Sequence, residues 1–331
     1  MKLLNRCLNN IAPIDRSIKK KITARLDSLT KPKGSLGRLE ETALKYCLSS
    51  GSTNPPPCRK RLICFAGDHG VADEGVSAYP REVTAQMVSN IVKGGSAVGV
   101  LSRHTNTELV VVDIGVNADL NDIKDILHKK IRMGTSNITH GPAMSLTDTI
   151  KALETGIALA NEAKKDGVTL LGTGDMGIAN TTSSSVLCSA LLKLPPEKIT
   201  GAGTGVSGKA LLKKINVVKK ALKVNAERLK GPLNIMSALG GFEIAGICGL
   251  ILGGAANRIP VVVDGFISSA AAVCALKMNK NIKDHLFFGH LSGEKGHRIV
   301  LEKLGVKPLL ELDMRLGEGT GAVLAMSIVE A

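Results

Sequence analysis

A single glutamate among glycines is the residue of this sequence best suited to proton transfer. Glu318 lies in the segment LDMRLGEGTGA between Gly317 and Gly319, where the backbone can adopt a positive φ or approach a ligand closely. The apolar run at residues 322–326 predicts a helix that begins just after it. Glu318 is therefore either a carboxylate presented to a substrate or a residue in the first turn of that helix, where negative charge is favoured.

Glycine-rich loops elsewhere in the chain could present backbone N–H groups to a phosphate. They occur at residues 172–177, 201–205, 240–241 and 289–296. The first matches G-x-G-x-x-G, but that motif alone is weak evidence, and we do not predict a dinucleotide cofactor. The amides and hydroxyls of GIANTTSSS and GHLSGEKG suit a phosphate and a ribose, and Tyr79, Gln86 and Met87 suit a planar ring.

The sequence contains no motif typical of a metal site or of a nucleophilic serine. His69, His290 and His297 follow predicted strands but lack the H-x-x-x-H and H-E-x-x-H spacings, so we predict hydrogen bonds for them and no metal site. No G-x-S-x-G marks a nucleophilic serine. The 7 cysteines form no C-x-x-C pair and are expected to be free thiols in a reducing compartment.

Apolar strands and helices alternate in the part of the chain that carries these loops. Each predicted strand ends at a polar loop, for example at Asp68, Asp113 and Asp264. This alternation predicts an α/β fold with a Rossmann-like, doubly wound, mainly parallel six-stranded sheet, in which ligands bind beyond the carboxyl ends of the strands. The predicted strands are residues 61–66, 108–112, 168–171, 233–236, 259–263 and 285–288.

The two chain ends follow a different pattern. Residues 1–45 are predicted to be helical, with apolar residues at helical spacing from Ile11 to Leu26 and a restart at Leu39. The segment SSGSTNPPP, residues 49–57, is the clearest linker and the expected domain boundary.

Composition excludes several classes of protein. The net charge of +14 comes from short lysine runs, and with only 2% aromatic residues for base stacking we predict no nucleic-acid partner, although a basic surface could attract a phosphorylated substrate. The longest apolar run, residues 244–256, is shorter than the roughly 20 residues of a membrane-spanning helix. No apolar segment near the N-terminus resembles a signal peptide, so we expect a cytoplasmic protein without a membrane partner.

Eight ordered motifs together closely resemble the nicotinate-nucleotide:dimethylbenzimidazole phosphoribosyltransferases, which assemble the lower ligand of cobalamin. The resemblance extends from about Ile11 to the C-terminus. The motifs are LTKPKGSLGRLE, GDHGVADEGVSAYPREVTAQMVSNIVKGGSAV, GDMGIANTTSSS, GAGTGV, LGGFEIAG, VVVDGF, GHLSGEKGH and LDMRLGEGTGA.

The resemblance implies a reaction and an architecture. A nitrogen of 5,6-dimethylbenzimidazole displaces nicotinate from C1′ of nicotinate mononucleotide with inversion and gives α-ribazole 5′-phosphate, with no metal or organic cofactor. The fold is expected to comprise a large α/β domain, residues 58–299, and a small helical domain built from both chain ends, residues 1–50 and 300–331. The working state is expected to be a homodimer.

The resemblance also assigns roles to individual residues. Glu318 matches the general base that removes the N–H proton of the benzimidazole, and Asp175 stands where the family usually has a supporting Glu. The base pocket is expected to contain Ser77, Tyr79, Gln86, Met87 and Leu316. The nucleotide is expected to contact Gly174, Gly177, Asn180, Thr181, Gly203, Lys214, Asp264, Ser292 and Gly293.

Two alternatives remain open at this point. A relative with the same fold could transfer the phosphoribosyl group to adenine, another benzimidazole or a phenol, and the segment at residues 76–87 would decide the choice. The chain could also be a binder of a base or nucleotide that has lost the chemistry.

Overall fold

A computed structural model describes residues 1–331 and contains one six-stranded sheet and one two-stranded sheet. The strands are β1 (Lys60–Gly67), β2 (Glu108–Gly115), β3 (Ile126–His128), β4 (Leu170–Met176), β5 (Val261–Val263), β6 (Leu286–Phe288), β7 (His290–Leu291) and β8 (Leu310–Glu311). The α-helices are α1 (Lys2–Asn10), α2 (Lys19–Asp27), α3 (Arg38–Ser50), α4 (Val83–Val92), α5 (Ala97–His104), α6 (Leu146–Lys165), α7 (Asn180–Leu192), α8 (Pro196–Ile199), α9 (Gly208–Val224), α10 (Pro232–Leu239), α11 (Phe242–Ala256), α12 (Phe266–Met278), α13 (Lys295–Leu304) and α14 (Thr320–Glu330). Short 3-10 helices occupy Gly70–Glu74, Ala226–Arg228 and Lys280–His285.

The large sheet has the strand order β3-β2-β1-β4-β5-β6, and every neighbouring pair is parallel. This order reverses between β1 and β4, which is the doubly wound arrangement predicted from the sequence. In β1 and β4, Phe65 pairs with Asp175 near the carboxyl ends of both strands. The loops that follow these strands therefore meet at one edge of the sheet, where such folds bind ligands.

Helices cover both faces of the sheet, because alternate residues of each strand point in opposite directions. Ile63 and Phe65 of β1 belong to a core of 59 buried residues that also includes parts of α6, α7, α11 and α12. Leu62 and Cys64 belong to a second core of 19 residues with parts of α4, α5 and α14. With both faces buried, the strands read as continuous apolar runs rather than as an alternating pattern.

In the six-stranded sheet, one predicted strand is wrong and one strand was missed, and the two short strands β7 and β8 of the second sheet were not predicted either. Residues 233–236 form part of α10, whose first residue is Pro232 and whose N-cap is Gly231 with φ +80°, so the short apolar run begins a helix. The missed strand is β3, only 3 residues long at the sheet edge and followed by Lys129 and Lys130. The strand predicted at residues 168–171 begins at Leu170 and continues through the glycines to Met176.

The N-terminal helices are shorter than predicted. Residues 11–18 lie outside any helix, because Pro13 interrupts the apolar periodicity between α1 and α2. Helix α1 packs against α6 and α11, α2 packs against α3, and α14 contacts β4 and α5. The division into domains at residues 1–50, 58–299 and 300–331 stays a prediction. None of the helices combines the length and the apolar character needed to cross a bilayer.

Candidate active site

A cavity of about 340 Å³ opens at the carboxyl ends of β4, β5 and β6. Ten predicted site residues contribute to its wall, together with 12 others. The ten are Ser77, Tyr79, Asp175, Gly177, Asn180, Thr181, Gly203, Asp264, Ser292 and Leu316. The remaining predicted residues, Glu318, Gln86, Met87, Gly174, Lys214 and Gly293, lie outside this wall.

Three predicted site carboxylates from distant parts of the chain are buried in or next to the cavity wall: Asp175 and Asp264 line it, and Glu318 follows the wall residue Gly317. Asp175 comes from the end of β4, Asp264 follows β5, and Glu318 precedes α14; their exposed fractions are 4%, 0% and 3%. Burial, followed by the charges of Asp264 and Glu243, raises the pKa of Asp175 well above its usual value. Burial likewise raises the pKa of Asp264. Such a group of acids retains protons at a higher pH than isolated carboxyls do.

Glu318 is held in an unusual conformation at a helix terminus. Its φ of +62° lies in the left-handed region, which is rare for a residue other than glycine and occurs often at functional sites. Its Oε2 accepts a hydrogen bond of 3.3 Å from the amide of Val98 in the first turn of α5. Burial raises the pKa of Glu318, and the Val98 hydrogen bond opposes this effect. Glu318 thus precedes α14 and caps α5, so of the two alternatives left open by the sequence, a position in the first turn of the last helix is wrong.

Asp264 is also placed at a helix N-terminus. Its Oδ1 accepts a 2.8 Å hydrogen bond from the amide of Ala322 in the first turn of α14. His290 Nε2 lies 3.7 Å from the same oxygen. No group of the chain bonds to Asp264 Oδ2, although that atom is buried. Asp264 therefore connects the end of β5 to the helix that follows Glu318.

The loop between β4 and α7 forms the floor of the cavity. A Cβ on Gly177 would lie 2.2 Å from the carbonyl oxygen of Gly67, so only glycine fits at this contact. Ala179, the N-cap of α7, has φ +73°, a strained conformation for alanine. Asn180 begins α7 and donates a 3.0 Å hydrogen bond to Asp175 Oδ2. The N-terminus of α7, at Ala179, Asn180 and Thr181, therefore borders the cavity, and its helix dipole favours an anion there.

The known proteins that are similar to this chain are phosphoribosyltransferases by name or family. A family model described as "Phosphoribosyltransferase" matches residues 11–331. The chain is 55% identical over 324 residues to the nicotinate-nucleotide--dimethylbenzimidazole phosphoribosyltransferase of Chlorobaculum tepidum, covering 98% of this chain and 92% of that protein. It is 50% identical to the protein of the same name from Geobacter sulfurreducens, covering 100% and 94%. A crystal structure of CobT from Thermus thermophilus superposes with a TM-score of 0.90 at 44% identity, covering 95% of this chain and 94% of the other.

The chain belongs to this phosphoribosyltransferase family. A match of this length confirms the family predicted from the eight motifs, and the structural likeness confirms the parallel α/β fold. The alignments cover nearly all of the relatives as well as nearly all of this chain.

In this member of the family, one buried lysine supports the nucleotide side of the cavity from behind. Lys214 is 0% exposed, and its Nζ donates a 2.8 Å hydrogen bond to Thr181 Oγ1 in the first turn of α7. Burial lowers the pKa of Lys214 to about 8, and the charge of Glu294 partly opposes this shift. Lys214 therefore acts on the cavity through Thr181.

The histidines considered in the sequence do not converge on one site. His69 is fully buried, with Nε2 at 2.5 Å from Glu243 Oε1 and Nδ1 at 2.9 Å from Ser183 Oγ. His290 and His297 lie together, with ring centroids 6.3 Å apart, and only His290 contributes to the cavity wall. His297 Nε2 lies 2.9 Å from Ser269 Oγ, and its Nδ1 accepts a 2.9 Å hydrogen bond from the amide of Ser292. His69 and His297 therefore make the hydrogen bonds expected of satisfied buried histidines.

The predicted base-side residues divide between the wall of the cavity and helix α4. Tyr79 and Leu316 border the cavity with 56% and 58% of their surface exposed. Ser77 Oγ lies 3.2 Å from Thr204 Oγ1, which links the base-side segment to the loop at residues 201–205. Gln86 and Met87 lie on α4 and do not contribute to the cavity wall.

Several wall residues were not among the predicted substrate contacts: Arg315, Glu294 and Thr204 were not considered, and His290 was considered only for metal binding or hydrogen bonds. Arg315 is the only lysine or arginine on the wall, and it lies three residues before Glu318 in a motif already singled out. That closeness in sequence was an available signal. The others follow strands or glycines and carry no spacing that distinguishes them from ordinary loop residues.

Proposed function

We propose that this protein transfers the phosphoribosyl group of nicotinate mononucleotide to 5,6-dimethylbenzimidazole, releasing nicotinate and forming α-ribazole 5′-phosphate. The observation that carries the proposal is the gathering of Asp175, Asp264 and Glu318 beside a cavity that also faces the N-terminus of α7. An anion site next to buried carboxylates suits a phosphorylated nucleotide and a reaction that releases a proton. The names of the relatives supply the identity of the two substrates.

The nucleotide is assigned to the side of the cavity formed by α7. Its phosphate would lie at the N-terminus of α7, where the helix dipole favours negative charge, and Arg315 on the same cavity wall adds a positive charge. The ribose would then lie toward Asp175 and Asp264, whose oxygens can accept hydrogen bonds from hydroxyls. This places C1′ near the carboxylates.

The benzimidazole is assigned to the part of the cavity that Tyr79 and Leu316 border. Both expose large apolar surfaces at the cavity, and a flat bicyclic base would cover them. The attacking ring nitrogen would face C1′, and the N–H on the other nitrogen would face the loop at Gly317. Glu318 is the next residue along the chain.

The chemistry requires a base but no acid. As the ring nitrogen bonds to C1′, the C1′–N bond to the pyridinium breaks and its electron pair neutralises the nicotinate ring nitrogen. The benzimidazole then carries the positive charge and loses its N–H proton, which we assign to the Glu318 carboxylate. A positioned base of this kind typically accelerates a reaction roughly 10² to 10⁴-fold. The raised pKa of Glu318 makes it a better proton acceptor than an ordinary carboxylate.

Product analysis tests the proposal directly. The purified protein is mixed with nicotinate mononucleotide and, separately, with dimethylbenzimidazole, benzimidazole, adenine or phenol, and nicotinate release and anomeric configuration are measured. We expect the fastest release with dimethylbenzimidazole and an α-glycosidic product. Faster release with adenine or phenol would change the acceptor but not the reaction, whereas no release with any acceptor would favour a binding protein.

We also propose a homodimer in the cytoplasm. Leu29, Leu36 and Leu39 expose 47%, 50% and 39% of their surfaces around the turn between α2 and α3, which supports a protein contact there. None of the 7 cysteines forms a disulfide, which agrees with a reducing compartment. Light scattering during size exclusion would give a mass near twice 34.6 kDa for the dimer and near 34.6 kDa for a monomer.

A further inference from the structure

The motif GDHG after β1 contains an acid that the proposed reaction does not use. Asp68 is 2% exposed, and its two carboxylate oxygens have separate partners. Oδ1 accepts a 2.7 Å hydrogen bond from Thr84 Oγ1, and Oδ2 accepts a 2.8 Å hydrogen bond from the amide of Asn117. Asp68 therefore ties the ends of β1 and β2 to the first turn of α4.

Thr84 extends this connection to the nucleotide side of the cavity. Its side chain is fully buried, and its Oγ1 accepts a 3.1 Å hydrogen bond from the amide of Ile178. Ile178 lies between Gly177 and Ala179 on the cavity wall. One hydroxyl thus joins α4, which follows the base-side segment, to the loop that is assigned to the nucleotide.

The direction of these hydrogen bonds is fixed by chemistry. An ionised carboxylate can only accept, so the single proton of the Thr84 hydroxyl points to Asp68. The oxygen of Thr84 is then free to accept from the Ile178 amide. Replacing the hydroxyl by a methyl group would leave both the Asp68 oxygen and the Ile178 amide without a partner in a buried place.

We propose that Thr84 is a positioning residue that couples the two halves of the active site. When a base occupies the cavity at Tyr79, the first turn of α4 is fixed, and through Thr84 so is the Ile178 amide on the nucleotide side. Thr84 itself touches neither substrate. This inference rests on the proposed function, since it assigns the base and the nucleotide to different parts of the cavity wall.

Amide hydrogen exchange at Ile178 tests this coupling without turnover. Dimethylbenzimidazole is added alone, and exchange at residues 176–181 is measured by mass spectrometry or NMR. In the wild type we expect the base to slow exchange of the Ile178 amide. In Thr84→Val that amide should exchange roughly two- to tenfold faster, as expected for loss of one hydrogen bond, and should no longer respond to the base. Thr84→Ser, which keeps the hydroxyl, should respond as the wild type does.

A matched control separates positioning from a general loss of stability. Thr149 is also fully buried, but its hydroxyl bonds only to the carbonyl oxygen of Ser145 at the start of α6. Thr149→Val should therefore leave the response of Ile178 to the base unchanged. Retention of the response in Thr84→Val, or its loss in Thr84→Ser, would overturn the inference.

Two further outcomes are decisive even if Thr84→Val does not fold. No change in Ile178 exchange when the wild type binds dimethylbenzimidazole would overturn the coupling by itself. Turnover of the wild type with nicotinate mononucleotide is measured separately. If the base binds and slows exchange at Ile178 but no α-ribazole 5′-phosphate forms, the result contradicts the proposed function and leaves the coupling intact.

Discussion

The backbone amide of Glu318 donates a 3.2 Å hydrogen bond to the carbonyl oxygen of Asp175. The two acids are therefore joined through their backbones, and their carboxylates have different partners, Val98 for Glu318 and Asn180 for Asp175. Their relative position is set by β4 and by the loop before α14. Each carboxyl group can consequently be removed without loss of the contact that places the other, which allows their roles to be separated by mutation.

The pH dependence of turnover should identify the proton acceptor. Because burial raises the pKa of Glu318 above 4.5, the deprotonated form needed for catalysis becomes fully populated only at a higher pH than for an ordinary glutamate. We expect kcat/KM to rise with pH through that raised pKa. In Glu318→Gln this acid limb should disappear and kcat should fall roughly 10² to 10⁴-fold. Asp175→Asn should retain this acid limb. If the limb vanished in Asp175→Asn instead, Asp175 would be the proton acceptor.

Asp175 should destabilise the fold at neutral pH. Its pKa is raised well above 3.8 in the folded protein, so between the unfolded and folded values the folded state binds more protons. The contribution of Asp175 to the free energy of unfolding is then fully present below the pKa of the unfolded state. It is lost as the pH rises through the pKa of the folded state. Each unit of raised pKa corresponds to about 1.4 kcal/mol. Asp175→Asn, which can still accept from Asn180, should raise the free energy of unfolding, and more at pH 7 than at pH 4.

Urea unfolding at several pH values measures this effect. The control is Asp122→Asn, a change at an exposed aspartate away from the cavity that should leave the free energy of unfolding nearly unchanged. A loss of stability in Asp175→Asn at neutral pH would show that the buried carboxyl makes favourable contacts that outweigh its burial.

Tyr79 should contribute to binding of the acceptor base and little to the nucleotide. Tyr79 borders the cavity and is 56% exposed, so a stacked base would cover its ring. Tyr79→Ala should raise the KM for dimethylbenzimidazole about three- to tenfold, as expected for an aromatic contact, with the nucleotide KM unchanged. Steady-state kinetics with each substrate varied checks this. Leu146→Ala, at an exposed leucine that begins α6, should change neither KM.

Much of the sheet could be predicted because its strands are buried on both faces. The apolar runs that became β1, β2, β5 and β6 end at polar or glycine-rich residues, and the ends of β1 and β5 are marked by Asp68 and Asp264. Runs of this kind predict strands, but a run of four residues such as 233–236 is equally compatible with a helix. There the preceding Gly231 and Pro232 were the decisive local signal. The short edge strand β3 has no apolar run to reveal it.

Many of the residues of the site could be predicted from the sequence, but their arrangement in space could not. Motif order located Asp175, Asn180, Thr181 and Asp264 on the cavity wall. The contact of Glu318 with the N-terminus of α5 depends on tertiary packing between segments 220 residues apart, and no local pattern encodes it. The same holds for the connection from Asp68 through Thr84 to Ile178, whose members lie in separate elements.

Lys214 should tune nucleotide binding through Thr181. Loss of the ammonium removes the 2.8 Å hydrogen bond to Thr181 Oγ1, so Lys214→Met should raise the KM for nicotinate mononucleotide about tenfold, the order expected for a charged hydrogen bond. Because the pKa of Lys214 is lowered to about 8, the wild-type nucleotide KM should itself rise as the pH passes that value. Initial rates between pH 6 and pH 9 check both expectations.

The adjacent Lys213 is the control for this change. It is exposed on the same helix, so Lys213→Met alters the net charge equally but should leave the nucleotide KM and its pH dependence unchanged. Equal effects of the two substitutions would assign the result to long-range charge rather than to the contact with Thr181.

Gly174 should be required for the position of Glu318 rather than for any contact with substrate. A Cβ at Gly174 would lie 2.3 Å from the carbonyl oxygen of Glu318 and 3.3 Å from Cys64 Cβ, so the loop that carries Glu318 must move. We expect Gly174→Ala to destabilise the protein by about 1 to 3 kcal/mol, as overpacking does, and to lower kcat at least tenfold even where the protein is fully folded. Gly141→Ala provides the control, because nothing lies within 4 Å of a Cβ there. A folded Gly174→Ala variant with wild-type kcat would show that catalysis tolerates displacement of Glu318, and would therefore argue against Glu318 as the proton acceptor.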